Sequence, residues 1–196
     1  MVESKDNNTE LMRLIKLAAT GDVKAFESLV NRTSRFAYGL AYKTLLNAES
    51  ANDVVQESFI RVWKHLAEYK QEIKFTTWLY KIVMNLCYDK IKSDKRNNAL
   101  FEYYSGKEEN PSFIGLKKME DEISNKDAVN IIKNISRGLS TKQRMVFILR
   151  DFENLTVEEV AGVMNISVGA VKSNLFYARK FISQKFTEIE KEKELK

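Results

Sequence analysis

Trp78, Lys81, Asn85, Tyr88 and Lys92 follow one another at intervals of three, four, three and four residues. On a helix these intervals place all five along one line. Aromatic rings stack on unpaired bases, an amide hydrogen-bonds a base edge and ammonium groups meet phosphates. Such a line therefore suits single-stranded nucleic acid. Trp and Tyr at helical spacing serve equally as core or rim packing, and that plainer use stands beside the first. A second set is Lys172, Ser173, Phe176, Tyr177, Arg179 and Lys180. Its cations and hydroxyls suit phosphates and base edges, and its rings suit thymine methyl groups. The plainer alternative here is a helical hairpin with a solvated basic face.

These residues need helices beneath them, and the periodicity supplies them. Leu79, Ile82, Val83, Leu86 and Cys87 form the apolar face of a helix expected to start near Thr76 or Thr77 and to run to about Lys95. The second set lies in a helix-turn-helix pattern. Thr156-Val157-Glu158-Glu159 is a capping box that opens a short helix over Val157–Met164. Asn165 then supplies the positive φ of a tight turn, Ser167 caps a long second helix, and Gly169 is expected to allow close approach at its start. Val171, Leu175, Ala178 and Ile182 are its buried side. In this layout the second helix enters a major groove with its N-terminal residues at the base edges.

The rest of the chain reads as helical too. Leu11, Leu14, Ile15 and Ala18 share a face that Gly21 closes, and Asp22 caps the next stripe of Phe26, Leu29, Val30, Phe36, Ala37, Leu40 and Ala41. A third stripe is Ala51, Val54, Val55, Ser58, Phe59, Val62, Trp63 and Leu66. Between its buried faces stand Asp53, Gln56, Glu57 and Arg61, free for a partner. Asn97–Asn125 is polar, loses its periodicity and holds the single proline, Pro111, so it reads as a linker. Beyond it, Val129, Ile132 and Ile135 form a short stripe, and Ser140 with Gln143 forms a second capping box.

Composition sets the limits. The 196 residues suffice for one or two small domains, and 44% hydrophobic content sustains a buried core. Seven glycines and one proline leave little turn chemistry for a β-rich fold. The net charge of +5 favours a polyanionic partner. One cysteine, Cys87, and one histidine, His65, exclude an internal disulfide and fall short of a structural zinc site. Cys87 lies on a core face and is expected to pack as a small hydrophobe. A positioned nucleophile and base, a metal cluster and a Gly-rich phosphate loop are all missing, which argues against an enzyme and predicts no cofactor. Met1–Glu10 is polar, and no stretch is long and apolar enough for a membrane span, so a cytoplasmic protein is expected.

Three blocks together carry a family resemblance. Ala51 through Trp63, with its Asp53-Val54-Val55-Gln56-Glu57, is similar to the helix by which sigma factors grip RNA polymerase. Phe75 through Asn85 is similar to the promoter-melting helix of extracytoplasmic-function (ECF) sigma factors. Thr156 through Lys180 resembles their reader of the upstream promoter element, and Gly21-Asp22 before Ala25-Phe26 fits their opening. The resemblance covers nearly the whole chain in order. Three departures stand out: Lys92 where the family usually has arginine, Leu139-Ser140 for Leu-Pro, and Gly169-Ala170-Val171 for Gly-Thr-Val.

The resemblance implies an all-α fold of two small helical domains joined by a flexible linker, the second containing the helix-turn-helix. Residues 8–96 would bind core RNA polymerase and melt the downstream promoter element, 97–121 would be the linker, and 122–188 would bind the upstream element. Asp53, Gln56, Glu57 and Arg61 would face the polymerase. Trp78, Lys81, Asn85, Tyr88, Lys92 and Arg96 would meet the opened strand. Ser167, Gly169, Lys172, Ser173, Phe176, Tyr177, Arg179 and Lys180 would meet duplex promoter DNA. An anti-sigma protein is a further implied partner. A plain helix-turn-helix regulator is the rival reading, and the Asp53–Trp63 block is what it leaves without a use.

Overall fold

The computed structural model describes residues 3–70, 72–105 and 138–194. Every regular element among them is helical. The first region holds α1 (Glu3–Ala19), α2 (Val23–Leu45), α3 (Ala48–His65), a 3-10 turn over Leu66–Glu68, and the long α4 (Phe75–Ser105). The second holds α5 (Thr141–Phe147), a π turn over Ile148–Phe152, α6 (Val157–Met164) and α7 (Val168–Glu194). The stripe at Val129, Ile132 and Ile135 lies outside the described residues.

Local chemistry sets the boundaries. Gly21 takes φ +93 at the end of α1, which a side chain would resist, and the Asp22 carboxylate accepts from the Ala25 N–H to open α2. Leu46 closes α2 in the left-handed region with φ 56, and the Asn47 side chain then caps α3 by accepting from Ser50 N–H at 2.8 Å. Ser140–Gln143 and Thr156–Glu159 both form complete capping boxes. Helix α4 starts at Phe75 and continues past the expected end near Lys95 to Ser105.

In the first region Leu29, Leu40, Val62, Leu66, Leu79, Val83 and Met84 are fully buried. Each such side chain contributes about 1.5–3 kcal/mol on leaving water. Three hydroxyls are buried with them. Thr33, Thr44 and Ser58 donate to the carbonyls of Leu29, Leu40 and Val54 at 2.7, 2.8 and 2.6 Å, so none is left without a partner. Trp63 departs from expectation: it is 40% exposed and leans on the Phe26 ring, 4.7 Å between centroids. Phe36 is also exposed, its ring tilted against that of Tyr80 with 4.9 Å between centroids.

Met145, Val146, Ile148, Leu149, Val160, Val163 and Val171 are buried in the second region. They are continuous with the first core, because α6 packs on α4 and the π turn meets α2. Leu139, Ala178, Phe181 and Ile182 form a small separate cluster.

Candidate polymerase and nucleic-acid interfaces

Asp53, Gln56, Glu57 and Arg61 project from the side of α3 that the core does not use. Asp53 and Gln56 are exposed, and Val54, Phe59 and Val62 point inward. Three of the four already have partners within the chain. Arg61 Nε donates to Glu57 Oε1 at 3.0 Å, and Lys90 of α4 stands 3.9 Å from Asp53. Both are surface pairs worth ~0–1 kcal/mol, weak enough for a partner to replace. Ile60 is exposed on the same side, one turn from Gln56 and Glu57. It was missed in the sequence because an isolated isoleucine in an amphipathic stripe carries no signal of exposure.

The line on α4 is present as a surface. Lys81, Asn85, Tyr88, Lys92 and Arg96 are exposed, while Leu79, Tyr80, Val83, Met84 and Cys87 face inward. Trp78 belongs to both descriptions. It is half-buried, with ring centroids 5.3 Å from Tyr69 and 5.8 Å from Phe75, and Tyr69 in turn meets Phe75 edge-on. The Tyr69 hydroxyl is fixed by donating to the Ile73 carbonyl at 2.6 Å. An aromatic wall thus closes one end of the line, with the amide and the cations beyond it. Tyr69 was not foreseen, because it lies before the helix and shares no periodicity with α4.

The helix-turn-helix forms over α6 and α7. Thr156 Oγ1 accepts from Glu159 N–H and Glu159 accepts from Thr156 N–H, which fixes the start of α6. Asn165 sits at φ 51, and both its own N–H and that of Ile166 return to the Ala161 carbonyl. Ser167 Oγ accepts from Ala170 N–H at 3.1 Å and opens α7. The Ser167 hydroxyl is therefore a cap first. Val171 and Ala178 are fully buried, so they fix which face of α7 turns outward. That face carries Lys172, Ser173, Phe176, Tyr177 and Lys180. Phe176 is 62% and Tyr177 55% exposed, with the two rings meeting edge to face at 5.5 Å.

Two residues of this helix have surroundings that the sequence did not show. A Cβ at Gly169 would meet only Ser167 Oγ, at 3.9 Å, so no close approach within the chain requires glycine there. Arg179 is not a free cation. Its Nε donates to Asp151 Oδ2 at 3.0 Å and its Nη2 to Asp151 Oδ1 at 2.5 Å, a two-point grip that also pushes its pKa up. Asp151 lies on the π turn, 28 residues away in sequence, which is why the pairing was not visible there. Lys172 and Lys180 remain exposed.

His65 lies 3.3 Å from Glu68. Cys87 is buried, and burial pushes its thiol up to about 12, against the opposing effect of Arg144. A thiol held neutral in this way packs as a small apolar group. No helix among the described residues is long and apolar enough to cross a membrane.

Comparison with known proteins assigns the class first. Residues 29–97 match the family model of sigma-70 region 2, and residues 130–182 match that of sigma-70 region 4. The chain is 28% identical over 183 residues to the ECF RNA polymerase sigma factor SigW of Bacillus subtilis, covering 91% of this chain and 98% of that protein. It is 30% identical over 179 residues to the ECF RNA polymerase sigma-E factor of Escherichia coli, covering 88% and 92%. Its fold is similar to that of the sigma factor RpoE in complex with the anti-sigma factor NepR from Bartonella quintana. That match has a TM-score of 0.62 and 20% identity, over 83% of this chain and 96% of that one. The chain belongs to the ECF sigma factors, the family that directs RNA polymerase to promoters for transcription initiation.

Proposed function

We propose that this sigma factor divides its work between two faces. Residues 8–96 engage core RNA polymerase through Asp53, Gln56, Glu57 and Arg61, with Ile60 as an apolar contact among them. The same domain opens the downstream promoter element along α4. The wall of Tyr69, Phe75 and Trp78 backs one end of this face. Asn85 reads a base edge, Tyr88 offers a stacking face, and Lys81, Lys92 and Arg96 hold the strand's phosphates. Flipping a base out of a duplex costs a few kcal/mol, and stacking returns about 1–3 kcal/mol per base.

Residues 97–121 serve as the linker and 122–188 bind the upstream element as duplex. Lys172, Ser173, Phe176 and Tyr177 select base pairs there, and Lys172 and Lys180 supply the phosphate contacts. The chain does no bond chemistry itself and acts in the cytoplasm, where the polymerase works. An anti-sigma protein is its antagonist; the structurally similar RpoE was solved with one.

The observation that carries this reading is the exposed line of Lys81, Asn85, Tyr88 and Lys92 on α4, beside a fully capped helix-turn-helix with Phe176 and Tyr177 in solvent. Run-off transcription with core polymerase tests it. The parent is expected to direct initiation at discrete promoters, and core polymerase alone is not. Random initiation in both reactions would contradict the reading.

A further inference from the structure

Lys172, Phe176 and Arg179 follow one another at intervals of four and three residues, so they share one line on α7. Lys172 and Phe176 are exposed, and Lys180 is exposed beside the end of the line. A free guanidinium at the third place would add a phosphate contact to those of Lys172 and Lys180. It would hold two oxygens at once, where the lysines act as point charges. Asp151 takes that grip instead. Its Oδ2 accepts from Arg179 Nε at 3.0 Å and its Oδ1 from Nη2 at 2.5 Å. The arginine side chain stays at the surface, 54% exposed, so burial does not account for the pairing.

Asp151 is the fixed member of the pair. It sits on the π turn, where Glu153 N–H returns to the Ile148 carbonyl at 3.0 Å, and its side chain is 23% exposed. The residues on both sides of it are tied down. Arg150 Nη1 donates to the Leu155 carbonyl, and the Phe152 ring meets that of Phe147 edge-on, 5.6 Å between centroids. Single π turns occur mostly at functional sites. This one presents a carboxylate to α7, and the long arginine side chain comes to it.

We propose that Asp151 stands in for a DNA phosphate and withholds Arg179 from the duplex, so that α7 holds DNA of any sequence less tightly than its cations would allow. The proposal rests on the reading of α7 as the duplex-binding helix. Phosphate contacts carry no sequence information and supply essentially all of non-specific binding. Most DNA that a promoter reader meets is the wrong sequence. A withheld cation weakens every wrong encounter, while Ser173 and Phe176 still compare base pairs. A strut that merely braced α7 would act in the opposite sense. Its removal would misplace Ser173 and Phe176 and lower affinity for the right sequence.

The test measures binding of the full chain to two labelled duplexes by fluorescence anisotropy over a range of salt. One duplex is of mixed sequence, and the other is the duplex that the parent enriches from a random pool. Asp151→Asn keeps the shape of the side chain and removes its charge. It is expected to raise affinity for both duplexes by the same factor, about five- to tenfold at moderate salt, and to steepen the salt slope by about one. Asp151→Asn combined with Arg179→Gln removes the whole pair. Slope and affinity are then expected to return to the parent's, because the pair carries no net charge. Circular dichroism checks that helix content is retained.

An unchanged slope in Asp151→Asn overturns the proposal, and so does a fall in affinity for the enriched duplex, the result that a strut gives. A steep slope that persists in the double variant also overturns it, since the effect then does not pass through Arg179. A parent that enriches no sequence counts against the reading of α7 instead, and the mixed-sequence duplex still judges Asp151.

Discussion

The line on α4 and the outer face of α7 use the same residue types on opposite plans. On α7, Phe176 and Tyr177 stand largely in solvent with their rings edge to face, and the buried Val171 and Ala178 beneath fix their direction. On α4, Trp78 is packed among Tyr69 and Phe75, and the polar and cationic groups extend away from that cluster. An intact duplex offers its base edges in the groove, so a convex helix with projecting side chains is enough. A base taken out of the stack needs a wall to lie against, and in the proposed function the preassembled aromatic cluster at the end of α4 supplies one. The difference between the faces is thus one of support more than of composition.

The largest expected effects come from removing that support. Leu79 is fully buried directly after Trp78, and Leu79→Ala should lower unfolding free energy by about 2–5 kcal/mol in urea titrations followed by circular dichroism. Because the two cores are continuous, the second region should lose stability in the same transition. A second, unshifted transition would show that the regions are independent and that only α4 was weakened.

Direct contacts come next. Phe176→Ala and Ser173→Ala should each cost about 1–3 kcal/mol at one base pair of the upstream element, measured by binding-site selection. Lys180→Ala should instead weaken all sequences alike and reduce the salt slope by about one. Arg179→Ala is expected to change the salt slope less than Lys180→Ala, because Asp151 already neutralises it. Equal slopes would give Arg179 back its phosphate.

Smaller effects separate the two faces by their caps. Thr156→Ala should cost about 0.5–2 kcal/mol of stability by removing the acceptor for Glu159 N–H. It should weaken duplex binding while leaving single-stranded binding along α4 unchanged. The smallest perturbation is chemical. Cys87, with its thiol pushed up to about 12, should resist alkylation at neutral pH until the chain is unfolded. Its neutral form is what the fold accommodates, so its contribution is complete below the ordinary thiol pKa and is lost as pH rises toward 12.

What the sequence disclosed follows from the range of each interaction. Caps and turns are local, so Asp22, Ser140, Thr156, Asn165 and Ser167 and the span Val157–Met164 were legible residue by residue. The end of α4 was not. Its apolar stripe fades near Lys95, yet a helix continues until something breaks it, and no glycine or proline intervenes before Ser105. Trp63 was assigned to the buried stripe by its type, whereas its place beside Phe26 leaves part of the ring in water. The long-range partners were out of reach altogether. Asp151 with Arg179 and Glu153 with Lys43 are ordinary surface charges until the fold brings them together. Gly138 is similar: a Cβ there would collide with the Phe181 ring across the chain, a constraint that one sequence does not reveal.

Strand opening by Asn85→Ala tests the proposed role of the α4 face most directly. With core polymerase on a linear duplex promoter, permanganate reactivity of thymines reports the opened strand. The expected result is closed complexes at the parent level, little thymine reactivity, and recovery of transcription when the downstream element is supplied already unpaired. If Asn85→Ala opens the duplex at the parent rate, the exposed line on α4 is only a solvated helix face.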